Sequence, residues 1–476
     1  MQLTSLIFLG LVAFIYLVIY VLNRATKDAD KSNRLANWII LVASYIFVLY
    51  ADYKFAIVLF VLTLSTWFFA KKEKLYYLGI IVALLSLAFF KYTNFFIDSF
   101  SRIFKLDSVT LNIILPIGIS FYTFSAISYL VDVKRKKIVS RGFKEVALYL
   151  SFFPKLTSGP IQRSGDFFEQ AEAPRKIGFD TFSVGIQIFV FGLFKKIVIA
   201  DRLSVFVDQV FDTPLAFGSF TVFLSVIAYA IQIYFDFSGY SDMAIGIAKL
   251  FGFNLPRNFN LPYLAHNVTE LWKRWHITLS SWLQDYLYIP LGGSRKGKIL
   301  TYVNLILTMV IGGLWHGANW TFIIWGALHG FALAIHKIWM KISKSPEKKH
   351  SVFSNIISIF VTFLFTSFCW IFFRANSVSD SFIIIKRIFS FEGGLEQPYL
   401  WLFFAIGILL ASSLVAVFYS KKKGLVARKN NNSFVEAFYP NLDLRKFWHL
   451  VLFFVVCGLI LCLAYTGGSP FIYGKF

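Results

Sequence analysis

Long apolar runs recur from one end of this chain to the other, and they limit its fold more than any other feature. A helix needs about 20 mostly apolar residues to cross the hydrocarbon core of a bilayer, and the runs are about that long. Only 15% of the 476 residues are charged, against roughly 25% in soluble domains. We therefore predict an all-α polytopic membrane protein. Because no long polar linker interrupts the pattern, we expect a single membrane domain over residues 1–476.

Residues 1–145 are predicted to form the N-terminal spans. Residues 1–23 are apolar but lack a charged start and a small-residue cleavage site, so we interpret them as a retained first span, not a signal peptide. Basic residues crowd 24–34, and the positive-inside rule then places the N-terminus outside. The next spans are predicted at 37–70, as two short helices that turn near Ala51 and Asp52, and at 75–96 and 111–131.

The region 146–345 is less regular, and it holds five of the seven histidines. The apolar run 146–158 is too short to span, and Pro154, Gly159 and Pro160 break its end, which predicts a re-entrant element. Irregular backbone at membrane depth is tolerated only where protein buries it or where it lines a wet cavity. Clearer spans are predicted at 181–200, 217–238, 300–315 and 320–340, then in a C-terminal part (346–476) at 352–373, 399–419 and 447–465, with basic cytoplasmic loops at 341–349 and 421–429.

The formal net charge of the chain is +22. The positive-inside rule explains most of this surplus, and the remainder predicts a basic cytoplasmic face that attracts an anionic partner. No basic stretch is long and soluble enough for a nucleic-acid-binding module, so we expect no nucleic-acid partner. Cys369, Cys457 and Cys462 lie in apolar runs and are interpreted as small hydrophobic residues. No His, Cys or carboxylate spacing predicts a metal site.

The segment 266–298 is the richest in candidate functional residues. Aromatic and charged side chains alternate there, as in an amphipathic helix at a membrane surface. That interpretation explains His276 and Asp285 less well, because both lie where an ionisable group is costly. GGSRKGK (292–298) has the glycine and lysine spacing of a phosphate-binding loop, but Ile299 stands where such a loop needs Ser or Thr. The candidate site residues of this segment are Arg274, His276, Trp282, Asp285 and Tyr286.

A second polar cluster lies in YFDFSGYSDMAIG (234–246). Asp236 and Tyr240 are four residues apart and so share one helix face, and small residues around them permit close helix packing. Two interpretations stay open for Asp236. It is either a structural hydrogen-bonding or ion-pair partner, which we favour, or a functional ionisable group inside the membrane.

A histidine in the middle of GGLWHGANW (312–320) is the strongest candidate for catalysis. Burial disfavours the imidazolium form, so His316 is expected to be neutral, and a neutral imidazole near an alcohol is a competent general base. Trp315 and Asn319 are candidate supporting residues. His329 and His336 are interpreted as packing residues. The glycines before His316 either break the helix, so that the histidine faces a cavity, or let a neighbouring helix pack closely.

These motifs together resemble the membrane-bound O-acyltransferase family, in its bacterial alginate O-acetyltransferase-like branch. The resemblance implies that His316 is the central catalytic residue and His276 a second functional histidine. The predicted spans amount to roughly 11–13 transmembrane or re-entrant helices. The resemblance implies that they form a curved ring around a central tunnel. Lys155 and Thr157 depart from the expected pattern. The matching segments are 152–163, 234–246, 271–295, 312–330 and 370–375.

The implied activity is transfer of an acetyl group to hydroxyls of a cell-envelope or secreted polysaccharide. The donor would be acetyl-CoA or an acyl-carrier thioester, which is a substrate and not a tightly bound cofactor. An extracytoplasmic partner protein would receive the acetyl group, and the protein would lie in the bacterial inner membrane. The alternatives are D-alanyl transfer to teichoic acid and, from another class, a transporter. A transporter would be supported by inverted repeats, which the sequence does not display.

Overall fold

The computed structural model describes residues 3–72, 74–107, 110–343, 351–422, 442–465, 467 and 471–472. These residues form helices and loops, and the only β-type pairing among them is an isolated bridge between Phe217 and Leu395. Within the described part of the chain, nine helices are long and apolar enough to cross a membrane. The predicted all-α polytopic membrane class is therefore confirmed. A ring around a central tunnel and the orientation of the N-terminus stay predictions.

The first of two compact units consists of Met1–Val190 and Tyr240–Pro256. Its long apolar helices pack beside three short ones within residues 143–172. The helices that lie in it or begin in it are α1 (Leu6–Ala25), α2 (Ala29–Ala51), α3 (Tyr53–Ala70), α4 (Tyr76–Phe104), α5 (Ile119–Lys134), α6 (Phe143–Ser151), α7 (Phe153–Leu156), α8 (Ser164–Glu172) and α9 (Phe179–Leu193).

The second unit consists of Phe191–Gly239 and Arg257–Phe476. Aromatic side chains make up 13 of the 30 described buried residues in its core, and seven of these 13 come from the helices Ser219–Leu250 and Val352–Arg374. Its helices are π1 (Phe194–Ala200), α10 (Asp201–Asp212), α11 (Ser219–Leu250, whose last residues belong to the first unit), α12 (Val268–Arg274), α13 (Ile277–Leu283), π2 (Gln284–Tyr288), α14 (Lys298–His316), α15 (Trp320–Ile342), α16 (Val352–Arg374), α17 (Val378–Phe389), α18 (Leu400–Lys422) and α19 (Phe447–Leu463).

The predicted turn near Ala51 and Asp52 is confirmed, because Asp52 ends α2 and caps α3 by accepting from the Lys54 amide at 2.8 Å. The predicted start of α2 at residue 37 is wrong, since the helix begins at Ala29 under an Asp28 cap. The amide groups of Asn33 and Asn37 both donate to the carbonyl of Ala171, at 2.9 and 2.8 Å. The basic residues of 24–34 predict a loop here, whereas this pairing accommodates two polar amide groups within the helix.

One predicted span, 111–131, and the predicted re-entrant run, 146–158, differ in extent from the observed helices. The span at 111–131 is wrong in extent, because α5 begins only after Gly118, whose φ of +76° stops regular helix there. The run 146–158 is split at Phe152 into α6 and α7, and both are too short to cross a bilayer. That break agrees with the predicted irregularity. Re-entry of this segment into the membrane stays a prediction.

Other helices differ from the predicted spans in their bounds or type. The helix through 179–212 is continuous and contains the π-helical stretch π1, which was not predicted. Helix α11 runs twelve residues beyond the predicted end at 238. The segment 266–298 is no single amphipathic helix but α12, α13 and π2 in succession, and α17 was missed. Helices α16, α18 and α19 lie at the predicted C-terminal spans, but only α16 is among the candidate membrane spans, because the described apolar parts of α18 and α19 are shorter. The two basic loops lie largely outside the described residues.

Candidate active site

His316 is the last residue of α14, and its side chain is buried with 3% of its surface exposed. Its ring Nδ1 lies 2.6 Å from the carbonyl oxygen of Gly312, one turn earlier in the same helix. A carbonyl oxygen only accepts, so Nδ1 carries the hydrogen, and in the neutral ring the lone pair is on Nε2. The helix therefore fixes both the orientation of the imidazole and the nitrogen that can take a proton.

Close packing of α14 against α15 determines where His316 lies. A Cβ atom on Gly313 would be 2.2 Å from the carbonyl oxygen of Phe322, and a Cβ on Gly317 would be 2.0 Å from the Phe322 ring. Gly312 and Gly313 lie inside α14, so these glycines do not break the helix. Of the two alternatives left open by the sequence, close approach of a neighbouring helix is the observed one.

Aromatic rings surround His316. The ring centroids of Trp315 and Trp325 are each 5.0 Å from that of His316, and that of Phe373 is 5.4 Å away. All three approach edge-on or T-shaped, and all three side chains are buried. Such an enclosure lowers the local dielectric, which strengthens any hydrogen bond that the imidazole makes.

His276 lies beside His316, with 6.4 Å between the two ring centroids. It is completely buried and packs on Phe237 at 4.6 Å. Burial, and secondarily the proximity of His316, lower the pKa of His276 well below its ordinary value near 6.5. The two histidines therefore adjoin, and burial favours the neutral form of His276.

The backbone of His276 is unusual, because it has φ +42° and ψ +53° between α12 and α13. Residues other than glycine rarely adopt this left-handed backbone conformation, so the surrounding structure must impose it. Asn258 does so: its carbonyl accepts from the Ile277 amide at 2.9 Å, and its side-chain oxygen accepts from the Thr278 hydroxyl at 2.6 Å. We call this arrangement the Asn258 clamp. It holds the first turn of α13 directly after His276.

Asp236 belongs to a buried ionic cluster. Its carboxylate lies 2.6 Å from the Lys196 ammonium, which lies 2.7 Å from Asp201. The second oxygen of Asp236 accepts from the Ile472 amide at 2.8 Å. These contacts agree with the structural interpretation of Asp236. Tyr240 belongs to the other unit, where its hydroxyl contacts that of Thr157.

The remaining predicted residues occupy supporting positions. Arg274 pairs with Glu270 one turn earlier at 2.6 Å, and Asn319 caps α15 by accepting from the Thr321 amide at 3.1 Å. Trp282 packs on Tyr286 at 5.3 Å, and Asp285 lies within π2.

The other candidate histidines pack as interpreted. His329 lies edge-on to Trp325 at 5.0 Å and to Trp272 at 5.2 Å. His336 contacts the Thr269 hydroxyl through Nδ1 at 2.8 Å. Among the described residues, no three His, Cys, Asp or Glu side chains gather as a metal-binding group.

Sequence reasoning did not single out Asn258, Phe237, Trp325 or Phe373. Phe237, Trp325 and Phe373 lie inside the motifs used for the family resemblance, but nothing in the motifs separates a ring that touches a histidine from one that faces lipid. Asn258 lies in RNFN outside every quoted motif. The position of Asn258 two residues after Pro256, in a predicted loop, is the one sequence signal that could have drawn attention to it.

The site is a buried pair of histidines in a helical membrane protein. Residues 56–379 match the family model of the membrane-bound O-acyltransferases, and the chain belongs to this family. It is therefore an O-acyltransferase, and the class inferred from the motifs is confirmed.

Among its relatives are proteins with named acceptors. The chain is 41% identical over 343 residues to the peptidoglycan O-acetyltransferase of Helicobacter pylori, which covers 66% of this chain and 64% of that protein. It is 40% identical over 409 residues to a probable alginate O-acetylase of Pseudomonas putida, covering 82% and 81%. It is 26% identical over 296 residues to the teichoic acid D-alanyltransferase of Streptococcus thermophilus, covering 57% and 68%.

Proposed function

We propose that this O-acyltransferase moves an acetyl group from a cytoplasmic thioester donor to hydroxyls of a cell-envelope or secreted polysaccharide. The observation that carries the proposal is the contact of His316 Nδ1 with the Gly312 carbonyl inside an aromatic enclosure. It is supported by relatives of about 40% identity whose names are those of O-acetylating enzymes.

The chemistry requires one base and a thioester. Nε2 of His316 takes the proton from the acceptor hydroxyl, whose oxygen attacks the thioester carbonyl carbon. The carbon–sulfur bond then breaks, and the imidazolium returns the proton to the departing thiolate. His316 ends the cycle neutral, and the acetyl group is on oxygen. The buried aromatic surroundings hold the reactants together and limit hydrolysis by water.

His276 is assigned a positioning role within this proposal. Its ring centroid lies 6.4 Å from that of His316, which is too far for direct proton exchange between the rings but close enough to contact the same substrate. Its left-handed backbone directs the imidazole towards Phe237 and His316. Such strain is commonly kept where a side chain must be oriented for function.

Acetyl-CoA is the donor we favour, because the surplus of Lys and Arg suits an anionic thioester at the cytoplasmic face. In this proposal the acetyl group crosses the bacterial inner membrane and reaches the polysaccharide through an extracytoplasmic partner protein. The N-terminus would then lie outside, as the positive-inside rule predicts.

The test is mass spectrometry of envelope glycans from cells that express the wild-type chain or His316→Ala. We expect O-acetylation to fall at least about a hundredfold, the usual contribution of a general base. His336→Ala is the matched control, since His336 is a half-buried histidine that contacts Thr269 and neither active-site ring. Normal acetylation by His316→Ala, at a normal level of protein in the membrane, would refute the proposal.

D-Alanyl transfer is the second candidate, and the similarity to a teichoic acid D-alanyltransferase favours it. Purified protein in liposomes distinguishes the candidates when it is given either labelled acetyl-CoA or a D-alanyl carrier-protein thioester. Transfer from the carrier protein alone would replace our choice. Net passage of a substrate without acyl transfer would indicate a transporter.

A further inference from the structure

An elongated apolar groove lies within the first unit, between α1, α9 and the end of α11. Its volume is about 570 Å³. It is lined from Leu9 to Tyr20 along α1 and from Phe179 to Val190 along α9, with Ile247 and Leu250 behind. Among the lining side chains the only polar atoms are the hydroxyls of Tyr16 and Tyr20, and that of Tyr16 donates to the Gly178 carbonyl at 3.3 Å. The groove is therefore built to contact hydrocarbon.

The length of the groove matches one leaflet of a bilayer. Eleven residue steps from Leu9 to Tyr20, at about 1.5 Å each, give about 16 Å. Half of the roughly 30 Å hydrocarbon core is about 15 Å. Helices α1 and α9 are both among the candidate membrane spans. A groove of this length beside two spans fits one extended acyl chain from one side of the membrane.

The two ends of the groove differ in charge. Tyr16, Tyr20 and Arg24 follow one another at every fourth residue and so form a ladder on one face of α1. The two tyrosine rings are stacked at 6.1 Å, and the Arg24 guanidinium lies 4.9 Å from the Tyr20 ring centre. Tyrosine and arginine are typical of the membrane interface, and guanidinium groups pair well with phosphate. This end therefore complements an anionic head group.

The charge at one end of the groove favours an acyl chain of an anionic lipid over a helix from another protein chain. A helix would be about 10 Å wide. A single acyl chain is narrower and has no backbone groups to satisfy. We propose that the groove binds one acyl chain of an anionic phospholipid whose phosphate contacts Arg24.

The test is native mass spectrometry of the full chain in nanodiscs with equal amounts of phosphatidylglycerol and phosphatidylcholine. Ala13→Trp and Leu17→Trp each place an indole in the groove, whereas Phe14→Trp alters a neighbouring side chain that is 66% exposed and does not line it. We expect the wild-type chain and Phe14→Trp to retain one phosphatidylglycerol. Both groove-filling variants should retain it at least about tenfold less, as expected when a chain cannot enter a filled site.

Two further measurements distinguish the contribution of the lipid head group from that of the acyl chains. Arg24→Gln should keep a bound lipid but lose the preference for phosphatidylglycerol over phosphatidylcholine. Dihexanoyl phosphatidylglycerol, which has the same head group and short chains, should not be retained. Equal lipid retention by the wild-type chain and both groove-filling variants would overturn the proposal. Equal retention of the short-chain lipid, or dimers in place of bound lipid, would overturn it as well.

Discussion

His316 and His276 lie 6.4 Å apart, but their backbones are built in opposite ways. His316 ends a regular helix whose position is set by glycine contacts with α15. His276 occupies a break between two seven-residue helices and has a left-handed backbone that the Asn258 clamp supports. One histidine is thus positioned by helix packing and the other by a few polar contacts that oppose strain.

This difference predicts different sensitivities. Packing of backbone against backbone cannot yield locally, so damage near His316 should affect the fold and the activity together. A strained residue held by hydrogen bonds can relax when they are removed. Damage around His276 should therefore change activity more than it changes stability. Substitutions in the two segments can confirm or contradict this contrast.

The largest effect is expected for Gly313→Ala. Its Cβ would meet the Phe322 carbonyl at 2.2 Å, and α14 and α15 would have to separate. We expect a loss of about 3 kcal/mol in the free energy of unfolding, the upper end for overpacking, with loss of acetyl transfer. The measurements are the thermal unfolding midpoint in detergent and glycan acetylation.

Gly312→Ala is the matched control for that substitution. Its Cβ would meet only the end of the Leu283 side chain, at 3.1 Å, and the carbonyl that binds His316 is kept. Replacing a helix-interior glycine also stabilises a helix by up to about 1 kcal/mol, so we expect near-normal stability. Equal damage from both substitutions would contradict the packing explanation.

Asn258→Ala is expected to have the next largest effect. It removes the acceptor for the Thr278 hydroxyl and leaves buried donors unpaired, at a cost of about 2 kcal/mol. We expect the rate of acetyl transfer to fall more than tenfold because His276 is no longer held. The rate losses of Asn258→Ala and His276→Ala should not add, since both act through one imidazole.

Thr278 provides a graded control for the Asn258 clamp. Thr278→Val removes the hydroxyl at similar volume, whereas Thr278→Ser keeps it. We expect the free energy of unfolding to fall by about 1 kcal/mol for the valine variant, the usual value of one hydrogen bond, and to change little for the serine variant.

The double variant of Asn258 and His276 tests how Asn258 acts. Additive rate losses in it would show that Asn258 acts on folding and not on His276.

The contrast between the two segments also explains what the sequence could predict. Apolar length alone indicated most of the spans, and burial at membrane depth indicated a neutral His316. These features depend on local composition. The helix start at Ala29 was missed because the basic residues of 24–34 indicated a loop, whereas the amide groups of Asn33 and Asn37 in this helix donate to α8, which is far away in the sequence. Such a partner cannot be read from the neighbouring residues.

The candidate active site shows the same limit: contacts between residues far apart in the sequence were not predictable. His316 and His276 were singled out, but the geometry that joins them was not predictable. Phe237 and Trp325 come from different helices, and only the tertiary fold brings them to the two imidazole rings. The left-handed conformation of His276 is also invisible in the sequence, because glycine is the residue that normally marks it.

Strain at His276 can be measured by comparing His276→Gly with His276→Ala. Both variants lack the imidazole, so both should lose most of the activity. Glycine adopts a φ of +42° without steric cost, whereas alanine retains a strain of about 1 kcal/mol. We expect the glycine variant to unfold at a higher temperature. Equal midpoints would mean that the backbone at this position is unstrained.

The smallest expected effect is a dependence of stability on pH. Burial lowers the pKa of His276 in the folded protein, so below about pH 6.5 the unfolded chain binds a proton there that the folded chain does not. Stability should therefore fall as the pH falls, by less than about 1 kcal/mol between pH 7.5 and 6.0. His276→Gln removes this contribution, and unfolding midpoints at the two pH values should differ less for this variant than for the wild-type chain. An equal difference in both proteins would show that burial does not keep His276 neutral. The Asn258 clamp, unlike the helix end at His316, would then leave its histidine open to water.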